Sequence, residues 1–197
     1  HSANGKFSYN KGGFLNAGIN VFSNSYYSFV NIESFIDEDN YNISGNIKLN
    51  EFDISQYISL SGRNEITGNM DFSVHMNDGI RKLDLIATNG KGYLLNSAFS
   101  NFTGKANFII NDEIITGQSQ GSLNNWILGA YDWQNINYKV GFSDHGTSTY
   151  SLSAFGTLGD SLEIIAEKLS SNKIYLSKFE GVIKHSKIYT DPFYIDI

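Results

Sequence analysis

Cysteine is absent from these 197 residues, which removes structural disulfides, thiol nucleophiles and most structural zinc sites. A single proline, Pro192, stands against nineteen glycines, so the turns must be built from Gly, Asn, Asp and Ser. Charged residues make up only 17%, below the usual quarter, and 14 basic residues face 20 acidic ones for a net charge of −6. With no basic cluster the composition argues against nucleic-acid binding, which depends on neutralising phosphates. No apolar run approaches the roughly 20 residues needed to cross a bilayer as a helix, and the start has no signal-peptide pattern. His1-Ser2 is read as a tag remnant, and the chain as one segment of a longer protein.

What the chain does have is alternation. Hydrophobic residues reach 41% and aromatics 14%, enough for an ordered β protein. One phrase, a bulky apolar residue, a hydroxyl residue, glycine and a polar residue, occurs five times: at Ile43-Ser44-Gly45-Asn46, Leu60-Ser61-Gly62-Arg63, Ile66-Thr67-Gly68-Asn69, Phe102-Thr103-Gly104-Lys105 and Ile115-Thr116-Gly117-Gln118. It reads as a strand opener, its glycine letting the backbone bend where a strand begins. After the third copy, Met70, Phe72, Val74 and Met76 interleave with polar residues; after the fourth come Ala106, Phe108 and Ile110. A side-chain period of two puts each apolar set on one face of a strand.

Turn signals recur at Asn10 to Gly13, Asp37 to Asn40, Asn77 to Gly79, Asn89 to Gly92, Asn111 to Glu113, Ser143 to Gly146, Gly159 to Ser161 and Ser170 to Lys173. Many short strands between regular turns predict an all-β architecture with no domain boundary across residues 1–197. Two places are ambiguous. Leu162, Ile165, Ala166 and Leu169 fall at helical spacing while Leu162, Ile164 and Ala166 alternate, and Ile54, Tyr57 and Ile58 fit one helical turn.

Three stretches carry a family resemblance. The first is Asn46-Ile47-Lys48-Leu49-Asn50-Glu51-Phe52-Asp53-Ile54-Ser55, followed by Leu60-Ser61-Gly62 and Ile66-Thr67-Gly68. The second is Phe155-Gly156-Thr157-Leu158-Gly159-Asp160-Ser161-Leu162-Glu163-Ile164, and the third runs from Lys173 to Ile183. Together they resemble the TamB family of the AsmA-like group, large envelope proteins of double-membraned bacteria. The match covers about residues 42–190 and is poor before about residue 40; Ser161 stands where that family often has proline.

The resemblance implies a curled, twisted sheet forming an open apolar groove, the β-taco. It also implies a non-enzymatic role without cofactor: conducting phospholipid acyl chains across the periplasm from an inner-membrane anchor toward the outer membrane. An outer-membrane β-barrel assembly protein, TamA- or BamA-like, is the implied partner. On this reading the lipid-facing residues are Met70, Phe72, Val74, Met76, Leu83, Leu85, Ala106, Phe108, Ile110, Ile136, Tyr138, Val140, Phe142, Leu152, Ala154, Leu162, Ile164, Ile174 and Leu176.

The alternative from pattern alone is a β-sandwich glycan-binding or adhesion module, with the same residues as its core and Trp126 and Trp133 as stacking candidates. A further option is an edge strand that docks a barrel partner. Catalysis and metal binding find little support. His75, His145 and His185 lack ligand spacing, Asp144-His145 has no nucleophile elbow nearby, and Asp37-Glu38-Asp39-Asn40 lacks the glycine and distal glutamate of a calcium loop. Lys11-Gly12-Gly13 and Gly90-Lys91-Gly92 fit tight turns better than a phosphate cradle.

Overall fold

The computed structural model describes residues 2–9, 14–22, 27–36, 41–55, 61–112, 114–128, 131–144, 146–170 and 172–196. The turn signals at Asn10 to Gly13 and Asp37 to Asn40, together with Tyr57, Ile58, Leu60, Glu113 and His145, lie outside them.

The strands are β1 (Ser2–Tyr9), β2 (Phe14–Phe22), β3 (Tyr27–Ile36), β4 (Tyr41–Asp53), β5 (Glu65–Asn77), β6 (Ile80–Leu94) and β7 (Ser97–Asn111). They continue as β8 (Ile114–Leu128), β9 (Tyr131–Phe142), β10 (Ser148–Gly156), β11 (Ser161–Ser170), β12 (Lys173–Ile183), β13 (Ser186–Thr190) and β14 (Phe193–Asp196). Among the described residues the one helical element is a short 3₁₀ turn at Thr157–Gly159. Every strand belongs to a single antiparallel sheet, ordered β1 to β13 as in the chain, with β14 also on β12. This is an all-β meander. It does not close into a barrel: no described pairing joins β1 to β13 or β14. Nor do the strands divide into the two packed sheets of a sandwich.

Hairpin turns follow the local chemistry. Asp78-Gly79 has positive φ at both positions (49° and 78°), the two-residue turn whose twist matches antiparallel strands. Leu95-Asn96 and Lys184-His185 make the same kind of turn, although neither pair carries glycine. By contrast Asn89 to Gly92, read from sequence as a turn, stays inside β6. Asn89 has φ 55°, and the pairing with β5 and β7 shifts register around it, so the segment is a bulge. Residues 162–169, ambiguous from their spacing, are strand β11.

The repeated phrase is not a general strand opener. Its first, third and fifth copies lie near the starts of β4, β5 and β8, but the fourth sits well inside β7. The second, from Ser61 onward, precedes β5 in a loop. The reason lies across the strands. A Cβ on Gly45 would come within 2.8 Å of the Phe72 ring, and one on Gly104 within 3.0 Å of the Tyr138 hydroxyl. At Gly45 the Asn31 carbonyl crowds the same space more closely still, and Tyr138 reaches Gly104 from two strands away, so these glycines admit both a close backbone and an aromatic ring lying over the sheet.

Burial is sparse, as expected for one layer. The buried apolar residues among those described are Ala17, Phe99, Ala106, Trp133, Ile136 and Ala154. Trp133, Ile136 and Ala154 form the compact cluster, joined by Leu123, Trp126, Tyr131, Leu152, Leu162 and Ile183. This cluster sits toward the end of the sheet that carries the 3₁₀ turn and the Lys184-His185 turn.

Candidate functional site: the apolar face

Directly opposed residues in an antiparallel ladder share a face. Following the pairings strand by strand therefore shows which side chains lie together. One row runs from β4 to β14 through Ile43, Val74, Leu83, Phe108, Gly117, Phe142, Ser148, Lys168, Ile174 and Ile195. The next row is Gly45, Phe72, Leu85, Ala106, Ser119, Val140, Tyr150, Ala166, Leu176 and Phe193. A third is Ile47, Met70, Ala87, Gly104, Gly121, Tyr138, Leu152, Ile164 and Phe179. Shorter rows finish the two ends: Tyr41, Met76, Arg81, Ile110 and Ile115 at one, and Leu123, Ile136, Ala154, Leu162 and Gly181 at the other.

Every residue singled out from the sequence as lipid-facing falls in these rows, on one face of one sheet. From β4 to β12 that face spans roughly 38 Å, taking about 4.8 Å per strand step. Sequence reasoning left out Phe179 on β12 and Phe193 and Ile195 on β14 from this face, although continued alternation was the available signal.

The face is graded. The buried Ile136 and Ala154, with Trp133 beside them, lie toward one end. At the opposite end Ile115, Phe142, Tyr150, Phe193 and Ile195 are all exposed. Aromatic contacts reach from β7 to β9 across β8: Phe102 stacks on Tyr138 with ring centroids 6.4 Å apart, and Phe108 meets Phe142 at 5.9 Å. Trp133 is buried and stacked on Tyr131 at 6.3 Å, so it packs within the sheet and presents no free platform.

The other face is mainly polar and laced across strands, with Ile86, Ile109, Phe155 and Ile165 exposed among its polar residues. Asn46 Nδ2 donates to Asp71 Oδ1 at 2.6 Å, Asn107 Nδ2 donates to Asp84, and the Thr103 and Ser122 hydroxyls are 3.0 Å apart. Lys178 Nζ lies 2.7 Å from Glu163 and 2.8 Å from Glu180, and its pKa is raised by those two hydrogen bonds. The Arg63 guanidinium is likewise raised, chiefly by its bond to Glu65. Shallow depressions occur on this side; one of about 610 Å³ lies among Lys82, Asp84, Asn107, Gln118, Lys139 and Thr149. It forms where Gly141 leaves no side chain on the polar face. The apolar side is a broad surface rather than a pocket.

The three stretches behind the family resemblance take distinct forms. Phe52-Asp53 ends β4, and Asp53 Oδ1 accepts the Ser55 N–H at 2.9 Å in a local turn. Gly156 leads into the 3₁₀ turn Thr157–Gly159, while Lys173–Ile183 is β12. Among the described residues no cluster of His, Cys, Asp and Glu is placed to hold a metal ion, and no helix is long and apolar enough to cross a membrane. Comparison of the chain with protein-family models, with curated proteins and with solved structures gave no match.

Proposed function

We propose that the apolar face is the working surface of a TamB-like segment, and that it carries phospholipid acyl chains without catalysis or cofactor. The supporting observation is continuity. Residues from β4 to β12 place one nearly uncharged apolar surface on a single hydrogen-bonded sheet. A soluble protein rarely leaves so wide an apolar surface bare unless something binds there. Each methylene laid on such a surface is worth about 0.8 kcal/mol, so an acyl chain needs no directed hydrogen bonds to be held. The hydrocarbon of one bilayer leaflet is about 15 Å deep, half of a core about 30 Å thick. A face roughly 38 Å wide accommodates that length.

On this reading the sheet curls its apolar side inward as a β-taco groove, within a periplasmic protein anchored in the inner membrane. A TamA- or BamA-like barrel protein is the outer-membrane partner. The open edge at β1 leaves room for further strands of the same kind.

Val74→Asp tests the reading. Val74 is half-buried between Ile43 and Leu83, so a carboxylate there stays hydrated and leaves the sheet folded. Lipid carried from vesicles by the purified chain should fall sharply, with the far-UV β signal kept. Undiminished lipid in the folded variant would contradict the proposal.

A further inference from the structure

The apolar face is not electrically neutral, and its charges are neither balanced nor scattered. Along the ladders described above, the charged residues in register with it are Arg81 on β6 and Lys168 on β11. Both are cations. Both sit at the same end, beside the Asp78-Gly79 turn and the turn at Asn172, where the face is most exposed. The acidic residues of these strands, including Asp71, Asp84, Glu163 and Glu167, alternate onto the polar face. Asp78 and Asp112 lie in turns beyond the strands. Neither Arg81 nor Lys168 forms an ion pair among the described residues, whereas Lys178 and Arg63 on the polar side do.

The apolar run inward from each cation has a defined length. From Lys168 the face continues along β11 through Ala166 and Ile164 to Leu162, which packs against the Trp133 cluster. From Arg81 it continues along β6 through Leu83 and Leu85 to Ala87. Six residues of antiparallel strand cover about 20 Å, slightly more than the roughly 15 Å of hydrocarbon in one leaflet. Each run is therefore about one acyl chain long and cationic at its outer end, and the run on β11 ends against the packed cluster.

Resting on the lipid reading above, we infer that the face takes anionic phospholipids in one orientation. Each phosphate-bearing head group meets Arg81 or Lys168 at the open rim, and the acyl chains lie along the strands toward the Trp133 end. The two cations are five strand steps apart, roughly 24 Å at about 4.8 Å per step. Measured along the sheet, that separation is far larger than one phosphate. The cations mark two lipid positions side by side. Long cationic side chains suit this place, since their stems lie on apolar surface while the charge reaches the edge.

The test uses vesicles of equal parts phosphatidylglycerol and phosphatidylcholine with identical acyl chains. The full chain is incubated with them, re-isolated, and its bound lipid measured by mass spectrometry. The expected result is a preference for phosphatidylglycerol of about five-fold per cation. In R81Q/K168Q the preference should vanish while total bound lipid is unchanged, and R81K/K168R should retain it. Lipid bound without head-group preference, or a preference that survives in R81Q/K168Q, overturns the inference and leaves the lipid reading standing. Failure of the folded chain to carry either lipid overturns both.

Discussion

The ring of Tyr138 on β9 lies across Gly121 on β8. A Cβ added at Gly121 would approach Tyr138 Cε1 to 2.7 Å and would press harder still on the backbone carbonyl of Thr103. The phenol hydroxyl reaches over Gly104 one strand further on, and Phe102 stacks on the same ring. Gly121→Ala should therefore cost about 1–3 kcal/mol through overpacking, read as a lower urea midpoint with unchanged slope. Removing the ring as well, in G121A/Y138A, should recover little, because the Thr103 carbonyl cannot move aside as a side chain can.

Asn64 is 1% exposed and ties the β4–β5 connection to the next hairpin. Its Oδ1 accepts the Leu95 N–H at 2.8 Å, its Nδ2 donates to Gly62 O at 2.9 Å, and its carbonyl accepts the Ile54 N–H at 3.0 Å. Asn64→Ala leaves a buried donor and acceptor unsatisfied, at a cost of about 1–3 kcal/mol. Hydrogen exchange at the Leu95 amide should accelerate more than at amides in the middle of β6, which keep their ladder partners.

Trp133 anchors the compact cluster at the packed end. Trp133→Ala should lower stability by about 3–5 kcal/mol, the usual range for removing a buried large aromatic. Trp126 is only half-buried, and Trp126→Ala should cost less. Thermal unfolding of the two variants separates them. Equal small losses would mean that the cluster contributes little to holding this end.

The composition of the apolar face was legible because strand alternation leaves little freedom. Once Met70, Phe72, Val74 and Met76 form a strand, they share a side, and the register then aligns them with Leu83 and Leu85. Less legible were features set by contacts between distant residues. The Asn89-Gly90 bulge carries the same residue types as a turn, and only its ladder partners distinguish the two. The Leu95-Asn96 turn has no glycine at its left-handed positions; its conformation is held by Asn64, thirty-one residues away. The repeated phrase opens β4, β5 and β8 but not β7, for the same reason. Its glycine answers to Phe72 or Tyr138 on another strand, which no local pattern displays. Arg81 and Lys168 carry no local signal in the sequence; the register alone puts both at one end of the apolar side.

The most direct test of the apolar face as a lipid surface compares neighbouring positions on opposite sides of the same strands. A photo-crosslinking residue is placed at Phe72, Phe108 or Val140, and in matched proteins at Asp71, Asn107 or Lys139. In cells the first set should capture phospholipid and the second should not. Capture at neither set in folded protein, or equal capture at both, would contradict the account.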